Sequence, residues 1–178
     1  MPDELHVNGT SLRLLKADIT DIEVDSFVFY AREDLSLGSG YGNAITMRGG
    51  PSVQEDLKEF GERKVTEAVI TGAGNMKAKH IIHAVGPKFQ EEDLPEKLRT
   101  TIINALKLAD EKGITQISFP AMGAGFYGVP LEESAEITLS TIMEYLKNGS
   151  KIQEVIISLL DTREYIPFQK KLNSIQKS

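Results

Sequence analysis

Five short runs of this sequence, DSFVFYA, EAVITGAG, HIIHAVGP, QISFPAM and EVIISLLD, are apolar along most of their length. A strand with one wet face alternates apolar and polar residues, so a run without that alternation predicts a strand covered on both faces. Between these runs the apolar residues change to helical spacing. Val53, Leu57 and Phe60 recur between Pro51 and Lys64, and Leu98, Ile102, Leu106 and Ala109 between Leu94 and Lys112. Ala135, Leu139, Ile142, Met143 and Leu146 do the same between Leu131 and Asn148, and Gly113 and Gly149 stand where the second and third helices would stop. The alternation predicts an α/β chain: three layers, α/β/α, around a mixed, mostly parallel sheet of six or seven strands. LHVNGTSLRLLKAD adds an antiparallel pair at one edge, turning at Asn8-Gly9, and a short helix from Arg163 that frays at SIQKS closes the chain.

A length of 178 residues fits one domain, spanning 1–178. With 20 basic against 26 acidic side chains and a net charge of −6, the chain lacks the basic footprint of a nucleic-acid binder. A small anion is still admissible, because backbone N–H groups at a helix start can hold one whatever the overall charge. The absence of cysteine removes disulfides, thiolate nucleophiles and cysteine zinc sites. His80 and His83, three apart on one strand, point to opposite faces and cannot share a metal, so neither a metal nor another cofactor is expected. MPDELHVNGT lacks the basic-then-apolar pattern of a signal peptide, and runs such as VIISLL are far too short to cross a bilayer. A cytoplasmic protein with no membrane partner is expected.

Two glycine-rich loops follow strands. In FPAMGAGFYGVP, Gly123, Gly125 and Gly128 lie between a strand and a helix, where open α/β sheets bind ligands and glycine lets the backbone approach a phosphate. The same glycines suit a tight strand-to-helix turn. In FVFYAREDLSLGSGYGNAI, Gly38, Ser39, Gly40 and Gly42 precede a short helix candidate from Asn43 to Met47, and two such loops could face each other across a diphosphate. Asp18, in KADIT, stands where a carboxylate could accept from an exocyclic amine or cap the turn at Thr20 and Asp21.

KADIT, VDSFVFYA, GSGYGNAI, AKHIIHAVGP and ISFPAMGAGFYGVP, in this order and spacing, resemble the macro domain family, which binds ADP-ribose and related NAD metabolites. The resemblance implies that Asp18 accepts from the adenine amine with Ile19 beside it. It implies that Gly38, Ser39, Gly40, Tyr41 and Gly42 cradle one side of the diphosphate and the distal ribose. Gly123, Ala124, Gly125, Phe126 and Tyr127 would wrap the other side, the two rings closing over the ligand.

Against the same family the sequence departs where its enzymes keep polar groups. N-A-A-N becomes Phe29-Tyr30-Ala31-Arg32, replacing a ribose-orienting asparagine by a fixed cation. Gly42 stands where many of the family's ADP-ribosyl hydrolases carry an aspartate. Gly123-Ala124 replaces Ser-Thr, and Leu160 replaces an aromatic that stacks on adenine, with Tyr165 nearby as a candidate substitute. GNAITMRGGPSVQEDL is similar to the histone-type variants that also lack the catalytic set. The resemblance thus implies recognition of ADP-ribose, free or on a modified protein, without catalytic residues. A hydrolase of O-acetyl-ADP-ribose or of ADP-ribosyl bonds is the alternative, and a pocket turned to another nucleotide or an RNA end the third.

Overall fold

All six side chains of Ser26–Ala31 are buried, and they divide between two cores. Val28 and Tyr30 join one, Phe27, Phe29 and Ala31 the other, as the two-residue period of a strand requires. This strand, β3, lies inside a seven-stranded sheet in the computed structural model, which describes residues 3–177. The order along the chain is β1 (Glu4–Val7), β2 (Thr10–Lys16), β3 (Ser26–Ala31), α1 (Tyr41–Gly49), α2 (Ser52–Leu57), β4 (Ala68–Gly72), β5 (His80–Val85) and α3 (Leu94–Glu111). β6 (Gln116–Phe119), α4 (Leu131–Lys147), β7 (Glu154–Leu159) and α5 (Thr162–Lys177) complete it.

Across the sheet the order is β1-β2-β7-β6-β3-β5-β4. β2, β7, β6, β3 and β5 run parallel, and the edge strands β1 and β4 pair antiparallel with β2 and β5. The first edge is the hairpin turning at Asn8 (φ 53) and Gly9 (φ 88). α3, α4 and α5 cover one face with Leu98, Ile102, Leu139, Ile142, Phe168 and Leu172. α1 and α2 cover the other with Ile45, Val53 and Leu57. The architecture is the three-layer α/β/α arrangement, and no helix among the described residues is long and apolar enough to cross a membrane.

Two helices differ in length from the sequence expectation. The helix expected over Pro51–Lys64 ends at Leu57, since Glu59 and Phe60 close tight turns onto Asp56 and Leu57 and the Arg63 N–H pairs with the Glu33 carbonyl at 2.8 Å. The C-terminal helix is not short: α5 continues through Lys177. Phe168 and Leu172 anchor it in the core, while Lys171 pairs with Glu136 and Gln176 donates to the Glu4 carbonyl. These tertiary contacts supply what propensity does not. Ser178, at the end of the expected frayed stretch, lies outside the described residues.

His80 is exposed and His83 wholly buried, on opposite faces of β5. The His83 Nε2 lies 2.9 Å from the Thr71 hydroxyl, its Nδ1 has no partner, and Phe29 meets the ring edge-on. Burial pushes its pKa down to about 3. Below its ordinary value of 6.5 the unfolded chain gains a proton that the native chain refuses, so stability falls as pH drops from 6.5 toward 3. Urea unfolding should show this group removing about 2 kcal/mol between pH 7 and pH 5. His83→Leu should flatten that part of the profile.

Candidate functional site

The carboxyl ends of β2, β7, β6 and β3 point the same way, and the segments leaving them surround a cavity of about 470 Å³. This is within the usual range for small-molecule sites. In spatial order β2 delivers Asp18 and Ile19, β7 delivers Leu160 and Glu164, and β6 delivers Pro120 to Tyr127. β3 delivers Arg32 and then the loop with Ser39, Gly40 and Tyr41. Three interstrand spacings, roughly 14 Å, separate the β2 end from the β3 end. The cavity is therefore elongated across the strands, with a carboxylate at one end and a guanidinium at the other.

At the β2 end, Asp18 caps a 3-10 turn over Ile19–Asp21. Its Oδ1 accepts from the Thr20 N–H at 2.9 Å and the Thr20 hydroxyl at 2.7 Å. Its Oδ2 lies 3.7 Å from Arg48 of α1, and Arg48 also reaches Asp21 at 3.3 Å. These ion pairs tie the last turn of α1 to the turn after β2, although α1 follows β3 in sequence. Glu164 joins the same end, where its side chain accepts the Leu160 N–H at 2.8 Å and Asp161 caps the Glu164 N–H at 3.0 Å.

Gly123 (φ 78), Gly125 (φ 72) and Gly128 (φ 79) shape the loop after β6. It is closed by Val129 N–H to Gly123 carbonyl at 2.9 Å, Gly128 N–H to Gly125 carbonyl at 2.9 Å and the Ser134 hydroxyl to Met122 carbonyl at 2.7 Å. The N–H groups of Gly123, Gly125, Phe126 and Tyr127 have no acceptor among the described residues. Such a run of unpartnered donors along a cavity wall suits an anion. The start of α1, with its own orphan N–H groups, supplies more donors across the cavity.

Arg32 is an exposed side chain packed against two neighbours. Its guanidinium lies over the Phe126 ring, 5.8 Å from the centroid, and against Gly38, where a Cβ would stand 2.6 Å from Nη2. It forms no ion pair among the described residues, so a cation is aimed along the cavity without a partner. Phe126 meets Tyr127 edge-on, and Tyr127 packs at a tilt against Tyr30, whose hydroxyl donates to the Pro87 carbonyl. Burial raises the pKa of both tyrosines, keeping them neutral.

Asp18, Ile19, Arg32, Ser39, Gly40, Tyr41, Gly123, Ala124, Gly125, Phe126, Tyr127 and Leu160 line the cavity, and Gly38 and Gly42 do not. Gly38 supports Arg32 from behind. Gly42 is buried against the Leu37 carbonyl, where the start of α1 turns on itself. Tyr165 is also elsewhere: its hydroxyl donates to Asp3 and Lys16 lies over its ring, so it offers the cavity no aromatic face. Residue-by-residue reading missed Glu164 and Tyr30. The pattern Asp161-Thr-Arg-Glu164, a helix-start signature, was the available sign of the first. Nothing in the sequence marks Tyr30, which belongs to the floor only because β3 ends beneath it.

Open α/β sheets bind small ligands in a cleft at the carboxyl ends of their parallel strands, and a donor-rich glycine loop there suits an anion. The macro domain family model matches residues 30–138, and the chain belongs to that family. A macro domain-containing protein of Caldanaerobacter subterraneus is 41% identical, over 93% of this chain and 98% of its own length. An ADP-ribose glycohydrolase of Xenopus laevis is 34% identical, over 97% of this chain and 43% of its own. Among solved structures, a variant of the Oceanobacillus iheyensis macrodomain with ADP-ribose superimposes with a TM-score of 0.94 at 29% identity, covering 98% of each chain. The Trypanosoma brucei macrodomain in complex with ADP-ribose gives 0.84 at 26% identity, covering 89% of this chain and 68% of that one.

Proposed function

We propose that this protein binds ADP-ribose or a related NAD metabolite, free or attached to a protein, and does not hydrolyse it. The observation that carries the reading is the order of groups along the cavity. A carboxylate able to accept from a purine amine stands at the β2 end, four unpartnered N–H groups lie midway, and Arg32 closes the β3 end. ADP-ribose presents base, diphosphate and distal ribose in that sequence, and relatives of the same fold are seen with ADP-ribose. The carboxylates lining the cavity, Asp18 and Glu164, both belong to the β2 and β7 end, away from where the distal ribose would lie. At that far end Arg32 is a donor that never serves as a base, and it favours ligands with an anion or acceptor there.

Thermal unfolding tests the reading. ADP-ribose at about a hundred times its dissociation constant should add roughly 2.7 kcal/mol of stability, raising the melting temperature by on the order of 2 to 4 °C per kcal/mol. No shift at millimolar ligand would remove it. The similarity to an ADP-ribose glycohydrolase supports the second reading, hydrolysis of O-acetyl-ADP-ribose or of ADP-ribosyl bonds. Those substrates should emerge intact from incubation with the protein, and their turnover would favour the second reading instead. Competition of ADP-ribose against a nucleotide panel separates both from a pocket turned to another nucleotide.

A further inference from the structure

Phe126 and Phe89 are the exposed aromatic side chains among the described residues, 79% and 46% accessible. A single exposed ring needs no explanation, but these two share one loop. The Phe89 N–H donates to the Tyr127 carbonyl at 2.8 Å, and a Cβ added at Gly128 would stand 3.2 Å from the Phe89 Cβ. Phe89 therefore lies on the backbone of the loop that carries Phe126. Phe126 lines the cavity and Phe89 does not. The pair thus leads from the cavity's β3 end, where Arg32 lies over the Phe126 ring, onto the outer surface. Exposed carboxylates accompany it: Glu33 and Asp34 follow Arg32, and Glu92 and Asp93 follow Phe89 in the same segment. None of the four forms an ion pair among the described residues. Against them, residues 32–34 and 88–93 hold Lys88 and, lining the cavity, Arg32.

We infer that Phe89 and the outer side of Phe126 form the contact surface for a protein segment that carries ADP-ribose, and that this segment is basic. The inference rests on the ADP-ribose reading above. A protein is joined to ADP-ribose through the distal ribose, and in that reading the distal ribose lies at the Arg32 end. Whatever is attached there must leave the cavity past Phe126 and meet Phe89 next. Exposed aromatic rings are the side chains that most often anchor a protein contact, because they bury a large area at little cost in side-chain freedom. The four free carboxylates choose the sign of the partner. They oppose the phosphates of a nucleic acid and suit lysine and arginine side chains beside the modified residue. The net charge of −6 acts in the same direction.

Calorimetric titration of the full chain tests it with three ligands: free ADP-ribose, a synthetic peptide ADP-ribosylated on a serine flanked by lysines, and the same peptide with glutamates in place of the lysines. The lysine peptide should bind roughly 5-fold or more tightly than free ADP-ribose, the effect of one anchoring ring, and the glutamate peptide should not. Phe89→Ala should erase that advantage and leave free ADP-ribose within about twofold, which also shows that the variant is folded. Phe89→Tyr, which keeps the ring, should retain it. Equal binding of the lysine peptide and free ADP-ribose overturns the surface while leaving the ADP-ribose reading in place, as does an advantage that survives Phe89→Ala. A glutamate peptide, or an ADP-ribosylated oligonucleotide, that binds as tightly as the lysine peptide overturns the choice of partner. Failure of the wild-type chain to bind free ADP-ribose removes both.

Discussion

Gly42→Asp should lower the melting temperature by on the order of 10 °C and confer no hydrolysis. The substitution restores the aspartate that the resemblance assigns to many ADP-ribosyl hydrolases, but the backbone here leaves no room for it. A Cβ at Gly42 would stand 1.6 Å from the Leu37 carbonyl oxygen and 2.4 Å from its carbon. Both atoms are main chain, so no rotamer relieves the overlap. Leu35 and Leu37 are themselves buried beneath α1, so the loop cannot retreat without opening that core. Overpacking ordinarily costs about 1 to 3 kcal/mol, and direct overlap with backbone puts this site at or above about 3 kcal/mol. At about 2 to 4 °C per kcal/mol, the drop is then on the order of 10 °C. Gly42→Ala should lose a similar amount, since the overlap begins at Cβ, and calorimetric melting of the two variants separates size from charge. A Gly42→Ala protein as stable as the wild type would contradict this picture of the loop.

Gly125→Asp should weaken ADP-ribose binding at least about 100-fold while the protein stays folded. The glycine has φ 72, and a Cβ there meets nothing within 4 Å. Aspartate is among the residues least strained in that region, at roughly 1 kcal/mol. Its carboxylate would enter a wall of unpartnered N–H groups and oppose a diphosphate, a like-charge juxtaposition worth several kcal/mol. Gly123 would be a poorer choice, because its Cβ would meet the Val129 Cγ2 at 2.7 Å and the Tyr30 hydroxyl at 3.3 Å and disturb the cavity floor as well. Gly125→Asn, similar in size and neutral, is the control: it should keep most of the affinity, and titration calorimetry of the pair reports the charge alone.

What the sequence disclosed followed from local rules. Apolar runs marked the buried strands, Asn8-Gly9 the edge hairpin, and Gly113 and Gly149 the ends of α3 and α4. The glycine loops and Asp18 could be located because each sits immediately after a strand. Properties set by contacts between distant segments were not legible. Nothing local announces that β4 runs antiparallel on the second edge, or that Phe168 and Leu172 carry α5 to Lys177. Asp18 shows the capping role, one oxygen accepting from Thr20, while the other faces Arg48. The motif placed Gly38 and Gly42 in the cradle, whereas the structure places one behind Arg32 and the other against the Leu37 carbonyl. Arg48 draws the last turn of α1 toward Asp18 and Asp21, a folding back that no spacing rule contains.

Amide NMR of the labelled protein during titration with ADP-ribose tests the central claim most directly, because it reads the unpartnered N–H groups themselves. The signals of Gly123, Gly125, Phe126 and Tyr127 should move together with those at the start of α1, along one saturation curve complete below millimolar ligand. Amides that stay in place at millimolar ADP-ribose, or shifts confined to another face of the molecule, would contradict it.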